Sequence, residues 1–125
     1  MPAYNEVLFF PPAPVANVTL RHPDSGAMQS DIALLIDSGA DVTLLPKFSL
    51  QGLGVNVNLN SSFELEGFDG NVSSSFSVRV DLIWQGKTFK GEFLTIEQEI
   101  GYLGRDILNH LNLNLDGRNL RWEIR

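Results

Sequence analysis

The chain has 125 residues, 43% of them hydrophobic and 19% charged, and no cysteine, which suits one compact domain and excludes a disulfide framework, thiolate metal sites and thiol catalysis. Fifteen acidic against nine basic residues give a formal charge of −6, and the scattered Lys and Arg form no stripe that could track nucleic-acid phosphates. Two histidines, His22 and His110, cannot make a three-histidine metal centre, and no apolar run is long enough to cross a bilayer, so the chain is expected to be cytoplasmic with neither nucleic acid nor membrane as partner.

Residues 1–14 include Phe9-Phe10-Pro11-Pro12-Ala13-Pro14. Prolines fix φ and lack a donor, which predicts an extended surface arm, with Phe9 and Phe10 free to dock on a partner subunit. Val15-Ala16-Asn17-Val18-Thr19-Leu20 reads as a strand, residues 21–26 as a cluster of turn formers, and residues 28–36 as the second strand of a hairpin. After Pro46, residues 53–59 read as strand. Ser62-Phe63-Glu64-Leu65-Glu66 alternates apolar and polar, and so does Phe76-Ser77-Val78-Arg79-Val80-Asp81-Leu82. These two runs predict a second hairpin tipped by Gly67-Phe68-Asp69-Gly70. Residues 83–84 and 88–96, joined at Gln85-Gly86-Lys87, form a third strand pair. Helical spacing occurs only at residues 105–111, with Ile107, Leu108 and Leu111 on one face. Residues 113–125 read as two short strands around an Asp116-Gly117 turn, and Trp84 and Trp122 as packing residues. The class is mainly β with one short helix.

Ile32-Ala33-Leu34-Leu35-Ile36-Asp37-Ser38-Gly39-Ala40-Asp41 places a carboxylate where an apolar strand opens into a tight turn of small residues. The sequence carries its own control, because Asp24-Ser25-Gly26-Ala27 repeats the tetrapeptide after His22-Pro23, where every local cue is that of a hairpin turn. Only the second copy follows an apolar strand and runs on into Val42-Thr43-Leu44-Leu45-Pro46. A metal reading of Asp37 with Asp41 lacks the further carboxylates that an oxygen-ligated cation needs.

The run Leu34 to Pro46 resembles the active-site motif of the retropepsin-like aspartic proteases, the single-domain relatives of retroviral proteases. Gly101-Tyr102-Leu103-Gly104-Arg105-Asp106-Ile107-Leu108 is similar to that family's second motif, and Glu66-Gly67-Phe68-Asp69-Gly70-Asn71 falls where the family keeps a flap hairpin. The resemblance covers residues 15–125 as a protease domain and leaves residues 1–14 as an N-terminal arm. It implies a closed, barrel-like β domain that is homodimeric, takes an extended peptide or protein substrate, and uses no cofactor and no metal.

Aspartic proteolysis needs two carboxylates sharing one proton, one acting as base on a water and the other as acid toward the scissile carbonyl. One chain offers one such residue, and Asp24 lies in the connecting turn of the same hairpin, so a two-fold axis would have to supply Asp37 from a second copy. By resemblance, Asp37 is catalytic, Ser38 supports the turn across the axis, and Gly39 lets substrate approach and accepts a substrate amide. Asp41 pairs with Arg105 and, with Ala40, lies against substrate. Gly67, Phe68, Asp69 and Gly70 would close over the peptide, the Asp69 charge favouring basic substrates. Two other readings are a non-catalytic peptide-binding or dimerisation module on the same fold, and an unrelated β-sandwich with a coincidental turn.

Overall fold

The computed structural model of the chain describes residues 2–66 and 72–125. β1 (Val15–Arg21) and β2 (Met28–Ile36) form the expected antiparallel hairpin, with Val15 opposite Leu35 and Arg21 opposite Met28. Burial along β2 alternates from Ile32 onward, so Ile32, Leu34 and Ile36 enter the core while Ala33 and Leu35 face outward. The strand is apolar on both faces, and the outward Leu35 proves to line a cavity.

β3 (Leu44–Pro46), β4 (Val57–Glu66), β5 (Val72–Trp84), β6 (Lys87–Ile96) and β7 (Gly101–Leu103) complete the main sheet. Its order β1-β2-β7-β3-β6-β5 returns to β1 through Thr19 with Ile83, Leu20 with Leu82 and Arg21 with Asp81, which closes a six-stranded barrel. At that seam Arg21 Nε donates to Oδ2 of the buried Asp81 at 3.0 Å, and Nη2 lies 3.0 Å from the same oxygen as an ion pair. Val18, Leu20, Leu34, Val80, Leu82 and Leu103 fill the interior, each contributing about 1.5–3 kcal/mol by burial. Gln85 and Gly86 both adopt positive φ, the conformation a two-residue hairpin requires, and they join β5 to β6 with Trp84 opposite Lys87.

β4 continues outward from β5 as an antiparallel hairpin, Glu66 opposite Val72. The anticipated tip residues Gly67, Phe68, Asp69 and Gly70 lie outside the described residues. β8 (Leu113–Asp116) and β9 (Arg121–Ile124) form a separate antiparallel pair. Trp122 of β9 packs on Trp84 of β5 with ring centroids 5.3 Å apart, fastening this pair to the barrel.

Four expectations need correction. Residues 53–59 are not one strand: a 3₁₀ helix spans Lys47–Leu53, Gly54 ends it at positive φ, and β4 begins at Val57. The helix α1 covers only Arg105–Leu108, and its continuation to Leu111 is a tighter turn in which His110 and Leu111 donate to the carbonyls of Ile107 and Leu108. The β8–β9 connection is wider than a two-residue Asp-Gly turn, because Asp116 pairs with Arg121 and its carboxylate accepts from the backbone and side chain of Asn119.

The fourth concerns the arm, which is not simply extended. Trp122 N–H donates to Pro2 O and Tyr4 N–H to Leu120 O, so Ala3 pairs with Arg121 beside β9. The chain then doubles back, with Asn5 and Ala13 exchanging backbone bonds while Asn5 Oδ1 accepts from the amides of Val7 and Leu8. This Asx-type capping gives the proline-rich loop a local fold that its φ restrictions alone do not specify. Pro14 O finally accepts from Ile36 N–H, immediately before Asp37.

Candidate active site

The barrel order explains how the site is assembled. The chain leaves β2 through residues 37–43 and re-enters as β3, while β7 lies between those two strands, parallel to β2 and antiparallel to β3. The segment after β7, Gly104 and then α1, is therefore carried under the 37–43 loop.

Asp37 is half-buried at the end of β2, and its backbone N–H donates to Leu103 O at 3.0 Å, continuing the ladder with β7 one residue past the strand. Its Oδ1 accepts from Gly39 N–H at 2.9 Å and its carbonyl from Ala40 N–H at 3.1 Å, which fixes both carboxylate and turn. A Cβ on Gly39 would lie 3.1 Å from that same Oδ1, so a side chain there would crowd the carboxylate. Ser38 and Gly39 are exposed.

Arg105 ties the turn from below. Its backbone N–H donates to Ala40 O at 2.9 Å, its Nη1 to Ser38 O at 2.8 Å, and its Nη2 to Oδ1 of Asp41. Asp41 and Arg105, the partners expected from the sequence, are thus brought into contact. The Asp41 side chain is 82% exposed, so the ion pair itself contributes no more than about 1 kcal/mol, and the bonds to Ser38 and Ala40 do the positioning.

Sequence reasoning gave no role to the tightest part of this assembly. Thr43 is fully buried, its hydroxyl donating to Asp106 Oδ1 at 2.7 Å and accepting from Gly104 N–H at 3.0 Å, and its amide donating to Asp106 Oδ2 at 3.0 Å. One carboxylate thereby holds both donors of one residue on the far side of the loop, a charge-assisted clamp. Gly104 has no room for a side chain, since a Cβ would stand 2.5 Å from the Val42 carbonyl carbon and 2.6 Å from its oxygen. The pairing of Thr43 with Asp106 spans 63 positions. Only a polar residue inside an apolar run hinted at it.

The outward face of the same strands borders a cavity of about 420 Å³ lined by Phe9, Leu35, Gln98, Glu99, Ile100 and Tyr102. Among the described residues no three His, Asp or Glu side chains converge where a metal could be held. Chemically, the turn presents the half-buried Asp37 carboxylate, oriented by the Gly39 amide, beside the more exposed Asp41 carboxylate that is bound to Arg105.

A closed mainly β barrel with this strand order, its Asp-Ser-Gly turn seated on a Gly-Arg-Asp helix start, has the retropepsin-like fold. Among solved structures it is similar to EIAV protease complexed with the inhibitor HBY-793, with a TM-score of 0.58 and 21% identity over 85% of this chain and 91% of that one. No family model matches the chain, and no curated protein matches its sequence. The likeness is one of fold. No helix among the described residues is long and apolar enough to cross a membrane.

Proposed function

We propose that the chain is an aspartic endopeptidase that acts as a homodimer, with Asp37 of each copy forming the catalytic pair. The observation that carries this reading is the anchoring of Asp37, whose carboxylate is fixed by Gly39 N–H in a turn clamped through Leu103, Arg105 and Thr43. Such fixation suits a group that must meet a reacting atom in a set geometry and is more than a surface turn requires.

In the reaction, one Asp37 carboxylate takes a proton from a water whose oxygen attacks the scissile carbonyl carbon. The other Asp37, protonated, gives its proton to the carbonyl oxygen, forming a neutral geminal diol. Collapse of the diol breaks the C–N bond: the first Asp37 gives the nitrogen the proton it took from water, a diol hydroxyl returns a proton to the second Asp37, and the new acid group retains the oxygen from water. The pair ends with one proton between two carboxylates, as it began. Ser38 supports the two turns across the axis, and Gly39 and Ala40 offer backbone groups to an extended substrate.

A second copy is needed because each chain brings one Asp37. Among the described residues β8 pairs only with β9, and Leu115 on it is half exposed, which supports an edge through which two copies could pair about a two-fold axis. Residues 15–125 form the protease domain in this reading, and residues 1–14 its arm. Cleavage of an unstructured polypeptide by the wild type but not by Asp37→Asn is the test, with absence of cleavage by a confirmed dimer counting against the reading.

A further inference from the structure

We propose that the N-terminal arm is part of the substrate groove, with Phe9 forming one wall of the side-chain pocket beside Asp37 and setting the size of residue that pocket accepts. The inference rests on the protease reading and concerns which substrates it favours.

Leu35 and Asp37 are two positions apart on one extended run and project to the same side, and Leu35 lies in register with Tyr102 on β7. Those two side chains, with Ile100, make an apolar floor that lies just before the start of the Asp37 turn. Tyr102 donates its hydroxyl to Gln98 Oε1 at 3.1 Å, so its polar end is occupied at the rim and its ring is left as wall. Glu99 on the same rim opposes an acidic residue. The fourth wall comes from outside the barrel, as the ring of Phe9.

The position of Phe9 is set from both ends of its loop. Ile36 N–H bonds to Pro14 O on one side of the loop, the Asn5 and Ala13 pair closes it, and the Ala3 bridge to Arg121 holds the other. Within the loop Phe10 is fully exposed and Leu8 half-exposed, whereas Phe9 between them is turned inward to the cavity. An aromatic ring that lines an open pocket of about 420 Å³ limits how large a side chain the pocket can take.

The test uses the full chain as a dimer and two matched peptides that differ only in having Leu or Trp at the cleaved bond, at the side found by mass spectrometry to prefer apolar residues. Phe9→Ala should raise the Trp-to-Leu ratio of kcat/KM about tenfold, and Phe9→Trp should lower it by a similar factor, magnitudes expected of single-group changes in apolar pockets. Opposite shifts in one ratio are not produced by general loss of stability, and thermal melts of both variants check the fold. Ratios within twofold of wild type in both folded variants, or shifts in the same direction, would overturn the role of Phe9 while leaving the protease reading intact. A wild-type dimer that cleaves nothing would overturn both.

Discussion

Replacing Thr43 separates a clamp made by a hydroxyl from one made by packing. Thr43→Val keeps the shape but removes the donor to Asp106 Oδ1 and the acceptor of the Gly104 N–H, both in a fully buried setting. Losing a hydrogen bond to a carboxylate costs about 1.5–3 kcal/mol, and orphaning a buried amide about 1–3 kcal/mol more. Burying a methyl in place of the hydroxyl returns about 1 kcal/mol. The net loss is about 1.5–5 kcal/mol, and at roughly 4 °C per kcal/mol for a domain of this size Tm should fall by roughly 6–20 °C. Thr43→Ser keeps the hydroxyl and deletes one methyl, for about 1 kcal/mol. Thermal and urea melts should therefore rank wild type above Ser and Ser above Val. A Val variant as stable as the Ser variant would refute the clamp and make Thr43 a packing residue.

Two further outcomes rest on geometry and charge. Gly104→Ala drives a Cβ into the backbone of Val42 and Ala40, so the Asp37 turn must shift; it should lose about 1–3 kcal/mol in melts, whereas Gly91→Ala, with open space around its Cβ, should cost clearly less. Asp116 is held below the ordinary aspartate value by the side-chain and backbone hydrogen bonds of Asn119. A depressed folded-state pKa means that its contribution is complete above the unfolded aspartate's pKa and is lost as pH falls through the lower folded value. An NMR titration should place the Asp116 midpoint below that of a free aspartate, and Asn119→Ala should raise it; a midpoint at or above the free value would contradict the hydrogen-bond account.

The strands are legible in the sequence where burial has a period. Residues of β1, β2 and β6 alternate in part because one face fills the barrel, and the intervening Pro23, Gly26 and Gly86 mark turns that few other residues can make. The 3₁₀ helix at Lys47–Leu53 is not legible, since its buried Ser49, Leu50 and Leu53 keep neither a strand period nor a full helical one. The arm departs from expectation because proline content predicts extension, whereas Asn5 caps the loop and Trp122 draws Pro2 onto β9. At the site, Asp37, Ser38 and Gly39 are contiguous and can be found by motif. Thr43, Gly104 and Asp106 meet only because β7 is inserted between β2 and β3, and that order is a property of the whole sheet. The contact of Phe9 with the cavity depends on the same long-range closure.

Hydrolysis of peptide bonds by Asp37 from two copies, as proposed, can be tested directly. The direct measurement is digestion of an unstructured protein by wild type and Asp37→Asn between about pH 4 and 8, read by mass spectrometry, with oligomeric state followed by sedimentation. Cleavage by a wild-type dimer that disappears in an equally dimeric, equally stable Asp37→Asn protein is the predicted result. Cleavage that persists in Asp37→Asn, or that belongs to a wild-type monomer, would contradict it.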